Sequence, residues 1–118
     1  MYTYKATLVR IIDGDTLDVS IDLGFDISIS QRVKLYGIAT PDSKSSDLET
    51  KESGLEAKAR LMELLNKTFV IKSVLNKRGK YGRIMGIILL TDKFGDQVNL
   101  NDLMVAEGYA VEYFNGAK

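Results

Sequence analysis

A mainly β fold, a small five-stranded barrel with one helix after the third strand and a short helix after the fifth, is predicted from three observations. Apolar and polar residues alternate over several stretches of strand length. The second and third of these stretches follow their predecessors through turns too short for a parallel crossover. Helical spacing of apolar residues appears in two places, each after a run of strands. A chain of 118 residues holds one core, so residues 1–118 are read as a single domain.

The elements follow in order. Tyr4, Ala6 and Leu8 alternate with Lys5, Thr7 and Val9, and Leu17, Val19, Ile21 and Leu23 alternate with Asp18, Ser20 and Asp22, so both stretches read as strands. Asp13-Gly14 between them suits a tight hairpin turn with positive φ angles. Gly24 with Phe25-Asp26 marks a second turn, and Ile27, Ile29, Val33 and Leu35 give a third strand in meander order. Pro41 is the only proline and ends this run, because it disfavours helix at Thr40. Residues 42–53 are mostly small or charged and read as a mobile surface loop. Leu55, Ala59, Met62 and Leu65 then recur on one helical face. Phe69 to Leu75 and Arg83 to Leu90 are two further strands, joined by a loop over residues 76–80. A last helix is predicted from Leu100 to Glu107, capped by Asn99 and stopped by Gly108. Strand meander, inserted helix and strand pair fit no parallel α/β pattern. They fit the oligonucleotide/oligosaccharide-binding (OB) barrel, closed or partly open and antiparallel.

Composition narrows the chemistry. The chain is 45% hydrophobic and 27% charged, as expected of a globular domain. Its longest apolar run, Ile84 to Leu90, is too short to cross a bilayer. The first residues lack the basic and apolar regions of a secretory leader, so a cytoplasmic location is expected. With no cysteine and no histidine, thiolate sites and the commonest acid/base group are excluded. An oxygen-only donor set favours a hard cation such as calcium or magnesium. Sixteen basic and sixteen acidic residues balance, so broad electrostatic binding of nucleic acid is not expected from the whole chain. Lys77, Arg78, Lys80 and Arg83 form a local basic cluster, which is either a solvated loop or a contact patch.

Three segments concentrate chemistry at strand ends: Ile11-Ile12-Asp13-Gly14-Asp15-Thr16, Lys34 through Asp42, and Lys80-Tyr81-Gly82-Arg83. Each alone is ordinary. Asp13 suits local turn bonding, Lys34 a solvent-facing strand position, and the third segment a charged hairpin loop. Asp15 projects a carboxylate from a rigid strand end. Together they place acidic oxygens and permanent cations as metal-assisted phosphodiester chemistry requires.

In this order, and with Gly54-Leu55-Glu56-Ala57, Val98-Asn99, Leu103 and Gly108-Tyr109-Ala110, the chain resembles the staphylococcal nuclease family from about Ala6 to Ala110. Because the sequence stops at Lys118, the resemblance implies a minimal, phage- or plasmid-type member. It further implies a calcium-dependent nuclease that hydrolyses DNA or RNA as a monomer. Calcium would be held by Asp15 and the Thr40 carbonyl with Asp13 close by, and Arg83 would bind the phosphate. Asp42 would orient the attacking water, Lys34 and Arg83 would stabilise developing charge, and Lys80, Tyr81 and Tyr113 would touch flanking substrate.

Three positions depart from the family pattern. Ala39 stands where the resemblance expects a second metal aspartate, Asp42 where it expects glutamate, and Lys34 where it expects arginine. The first removes a charged ligand. The second withdraws a carboxylate by roughly 1.5 Å, one C–C bond, and a misplacement near 1 Å can cost about 10²-fold in rate. The third replaces a bidentate phosphate clamp with a point charge. An attenuated or silent enzyme is therefore expected. The alternative is a non-catalytic OB module that binds single-stranded nucleic acid or a protein partner.

Overall fold

Residues 2–78 and 84–113 are described by the computed structural model, residues 75–78 as backbone alone. Strands β1 (Thr3–Asp13), β2 (Thr16–Gly24) and β3 (Ile27–Leu35) form the expected meander. After β4 (Ile38–Ala39) and helix α1 (Leu48–Leu64), β5 (Thr68–Arg78) pairs with β1, and β6 (Ile84–Thr91) pairs with β5. The barrel closes where β6 meets β3, with Val33 opposite Ile84 and Leu35 opposite Gly86. This last seam is parallel, which corrects the expectation of a purely antiparallel barrel. The reason is arithmetic: five strands cannot alternate direction all the way round a closed ring. Outside the ring, β7 (Gln97–Asn99) extends β6, and β8 (Val111–Glu112) pairs with β4.

Alternation puts Leu17, Val19, Val33, Leu35 and Ile88 inside, all fully buried. In β1 the register shifts between Leu8 and Arg10, and this bulge moves the inward face from Ala6 to Ile11. At the far hairpin Phe25 and Asp26 both adopt left-handed backbone, as a tight two-residue turn demands. Helix α1 and helix α2 (Leu100–Ala106) add Leu61, Leu100 and Met104 to the same core.

Three expectations need correction. The loop over residues 42–53 is neither that long nor free. Ser43 is buried, and α1 starts at Leu48 because the Asp47 carboxylate accepts the Thr50 amide at 3.0 Å as its N-cap. The inward face of α1 is not the one carrying Leu55 and Met62, which are 46% and 56% exposed, but the one carrying Gly54, Ala57 and Leu61. Close approach decides this: a Cβ on Gly54 would lie 2.5 Å from the Ser43 nitrogen and 2.7 Å from the Pro41 oxygen. Finally, β5 continues to Arg78, into the expected loop.

Helix α2 behaves as predicted. Asn99 caps it by accepting the Asp102 amide at 3.0 Å, and Gly108 leaves it with a φ of 86°. Its Asn101 is buried beside the closing seam. The side-chain amide donates to the carbonyls of Tyr36 at 2.9 Å and Gly86 at 3.1 Å, and its oxygen accepts the Ile88 amide at 3.2 Å. One polar side chain thereby satisfies three backbone groups where β3 leaves the barrel.

Candidate functional site

The site is built on the turn between β1 and β2. Asp13 pairs with Thr16, so the two turn residues are Gly14 and Asp15 rather than Asp13 and Gly14. Gly14 does not use the left-handed region that the sequence suggested. It is needed for space: a Cβ there would meet the Ala57 Cβ at 2.7 Å and both γ atoms of Thr40 at 3.1 Å. The turn is thus pressed between α1 and the segment that follows β4.

That pressure buries Asp15 and surrounds it with donors. One carboxylate oxygen accepts the Thr16 hydroxyl at 2.9 Å. The other accepts the Thr40 amide at 3.1 Å and faces the Lys34 ammonium at 3.2 Å. The ammonium also donates to the Ile38 carbonyl at 2.8 Å. Lys34 and Asp15 side chains are only 13% and 11% exposed. Lys34 is therefore not a solvent-facing strand residue, because the chain folds back over it through β4. The carbonyl of Asp15 accepts the Leu35 amide at 2.8 Å, which ties the turn to the end of β3.

The other predicted residues sit around this pair in different ways. Asp13 bonds Ser43, through the serine amide at 3.3 Å and its hydroxyl. Asp42 is exposed and accepts the Lys44 amide at 2.8 Å, so its carboxylate belongs to its own loop. The buried Thr40 hydroxyl has no partner among the described residues. Ala39 lies opposite Val111 in the β4-β8 pair, and the next ladder step ties the Tyr113 amide to the Gly37 carbonyl at 2.8 Å. Tyr113 thus borders the Ala39 strand. Lys80, Tyr81 and Arg83 lie outside the described residues.

Asp15, Lys34 and Thr40 therefore share one set of contacts, while Asp13 bonds Ser43, Ala39 pairs with β8 and Asp42 keeps to its own loop. Among the described residues no three Asp, Glu, His or Cys side chains are grouped to hold a metal ion. The donor set fits calcium poorly. It offers one buried carboxylate, and that carboxylate already faces an ammonium. Two unit charges 4 Å apart repel by about 4 kcal/mol at an effective dielectric constant near 20, and a divalent ion doubles this.

Sequence reasoning missed three contributors. Ser43, which anchors the Asp42 loop to Asp13, gave no sign beyond its neighbour. The Ile38 carbonyl is a backbone group, invisible to residue type. Asn101 did leave a trace, since it falls beside Leu100 and three residues before Met104 on the apolar face of α2.

A closed five-stranded barrel with two helices, carrying a buried aspartate-lysine pair at a loop-covered end, defines an OB-type domain. The chain belongs to the staphylococcal nuclease homologue family, whose pattern it matches over residues 32–118. A micrococcal nuclease from Shigella flexneri is 32% identical over 115 residues, covering 93% of this chain and 59% of that protein. An uncharacterised protein from Bacillus anthracis is 30% identical over 111 residues, covering 92% of this chain and 47% of its own length. Another from Methanocaldococcus jannaschii is 27% identical over 131 residues, covering 95% and 60%. The chain spans about half to three-fifths of the length of these relatives. Among the described residues no helix is long and apolar enough to cross a membrane.

Proposed function

We propose that the chain is a phosphodiester-directed member of its family, acting on DNA or RNA as a cytoplasmic monomer, with hydrolysis strongly attenuated or silent. The observation that carries this reading is the buried Asp15-Lys34 pair beside the Thr40 amide. On this reading the pair marks where a phosphate would be bound, with the carboxylate committed to an internal cation. Lys34 and Arg83 supply positive charge for phosphate oxygens, and Asp42 is the group able to orient water from the rim. Tyr113, with Lys80 and Tyr81, supplies contacts to flanking nucleotides. The calcium dependence implied by the family is expected to be weak, since Asp15, Asp13 and the Thr40 carbonyl lack the second aspartate that Ala39 replaces.

The test is hydrolysis of denatured DNA and RNA, in calcium and in chelator. Slow or absent cleavage is expected for the natural sequence. Recovery is expected when Ala39→Asp, Asp42→Glu and Lys34→Arg are combined. No cleavage by the combined variant at high enzyme concentration sinks the catalytic reading. The Lys34 contacts then favour the second reading, a non-catalytic module for single-stranded nucleic acid, recognised by salt-dependent binding that calcium does not alter. A protein partner is the remaining form of that reading.

A further inference from the structure

The barrel end contains a cation already, held by the kinds of oxygen that a hard metal ion uses. Lys34 Nζ lies 3.2 Å from the Asp15 carboxylate and 2.8 Å from the Ile38 carbonyl, with little access to solvent on either side chain. We propose that Lys34 is the resident cation of this site, a tethered ammonium in place of a divalent ion, and that phosphodiester binding here is independent of metal. This rests on the phosphodiester-directed reading above, which names the ligand class.

Charge matching is the first argument. Among the described residues Asp15 is the one buried carboxylate here, Asp13 is committed to Ser43, and Asp42 points into its own exposed loop. A single negative charge is balanced by one ammonium, and a divalent ion would leave the site with excess positive charge beside Lys34. Coordination is the second. The Asp15 oxygens already accept the Thr16 hydroxyl and the Thr40 amide and face the ammonium, so a metal would have to displace one of these to enter. Geometry of the ammonium is the third. It has three N–H donors, of which one is given to the Ile38 carbonyl while the charge faces Asp15, and on this reading a phosphate oxygen takes another through the 13% of the side chain that stays exposed. A lysine offers that oxygen one charged hydrogen bond rather than a paired clamp, so binding without efficient cleavage is what this cation supports.

The experiment compares the full chain with Lys34→Met, which keeps the apolar stem and removes the charge. Two probes are used: calcium alone, followed by thermal melting and calorimetry, and a fluorescein-labelled single-stranded oligothymidylate. For the natural sequence, millimolar calcium is expected to leave the melting temperature unchanged and to give no binding heat. Oligothymidylate binding is expected to be equal in calcium and in chelator. Lys34→Met is expected to lose roughly tenfold or more in oligonucleotide affinity, the worth of a charged hydrogen bond. Its melting temperature is expected to fall and to recover in part with calcium, because the Asp15 and Ile38 oxygens are released.

A calcium-dependent rise in the melting temperature of the natural sequence overturns the proposal, as does oligonucleotide binding that chelator abolishes. A Lys34→Met chain that folds and ignores calcium overturns the equivalence of the two cations. Should that variant fail to fold, the measurements on the natural sequence still decide. Because the calcium readouts require no cleavage, their failure is distinct from the failure of the hydrolysis test. No binding of oligothymidylate in any condition refutes the phosphodiester assignment itself.

Discussion

Two aspartates on the same hairpin, Asp15 and Asp18, are each paired with a cation from β3, and their surroundings could hardly differ more. Arg32 and Lys34 share one face of that strand, since Val33 and Leu35 alternate with them into the core. Asp18 lies between two arginines in a cross-strand row, with Arg10 Nε at 3.0 Å and Arg32 Nε at 2.8 Å. Those arginines are 65% and 48% exposed. The Asp15-Lys34 pair points outward from the same barrel wall, yet it is buried, because the chain from Gly37 to Thr40 returns over it and supplies the Ile38 carbonyl and the Thr40 amide. The cover, not the residue types, converts a surface ion pair into a buried one. In water such a pair contributes little; under a lid of backbone it fixes a geometry.

The comparison breaks first at Lys34. Lys34→Met leaves Asp15 buried with two neutral donors and no countercharge. Full burial of a lone partner costs roughly 3–5 kcal/mol; with the hydrogen bonds that remain, about 2–3 kcal/mol is expected here. For a chain of this size that is a fall of roughly 10 °C in melting temperature in metal-free buffer. Equivalent loss from Arg32→Met would show that the cover does nothing for the energetics of the pair.

The cover itself is sharpened by a change that touches no charge. Gly54 lets α1 lie against the backbone of residues 41–43, and Ser43 in turn holds Asp13. In an open helix Gly54→Ala would stabilise by up to about 1 kcal/mol. Here the added methyl collides with backbone at 2.5 to 2.7 Å, and overpacking costs roughly 1–3 kcal/mol. A net loss of about 1 kcal/mol is expected, with faster hydrogen exchange at the Thr40 and Ser43 amides. A stabilised variant with unchanged exchange would mean that helix and loop separate at no cost.

Most of the barrel was legible, because alternation and turn chemistry at Gly24-Phe25-Asp26 and Asn99 are local properties. The candidate site was legible as a set of residues but not as an arrangement. Asp15, Lys34 and Thr40 could be named from the sequence. That Lys34 is covered, and that Asp15 is taken by it, depends on how a two-residue strand folds back, which no periodicity encodes. Helix α1 failed for a related reason. Leu55 and Met62 are the more hydrophobic residues, yet the small face of Gly54 and Ala57 turns inward because backbone must approach backbone. Hydrophobicity ranks side chains and does not register the space between main chains. The hydrogen bonds of Asn101 run to backbone groups on β6 and at Tyr36, just past the end of β3, and its presence on an apolar helix face was the only trace of them.

The smallest expected effect lies on the exposed side of the comparison, and its dependence on pH has a defined sign. The Arg32 hydrogen bonds are the main cause holding the Asp18 carboxyl below the usual carboxylate range, with Arg10 adding to them against a partial desolvation that raises it. A pKa lower in the folded state than in the unfolded one means that the pair stabilises the protein above the unfolded value, about 3.9 for aspartate, and that this stability is lost as pH falls through the folded value. Asp18→Asn should therefore cost about 0.5–1 kcal/mol near neutrality, the scale of an exposed pair. The cost should hold while Asp18 stays ionised and vanish in acid below the usual aspartate range. Asp47 and Glu107 are lowered in the same direction, by Thr50 and Arg60 respectively, so acid destabilises both proteins. Their contribution cancels when the two melting temperatures are subtracted at each pH. A difference that persists at the acid end would show that Asp18 acts through shape or neutral hydrogen bonding rather than through its charge, and the contrast with Asp15 would then rest on packing alone.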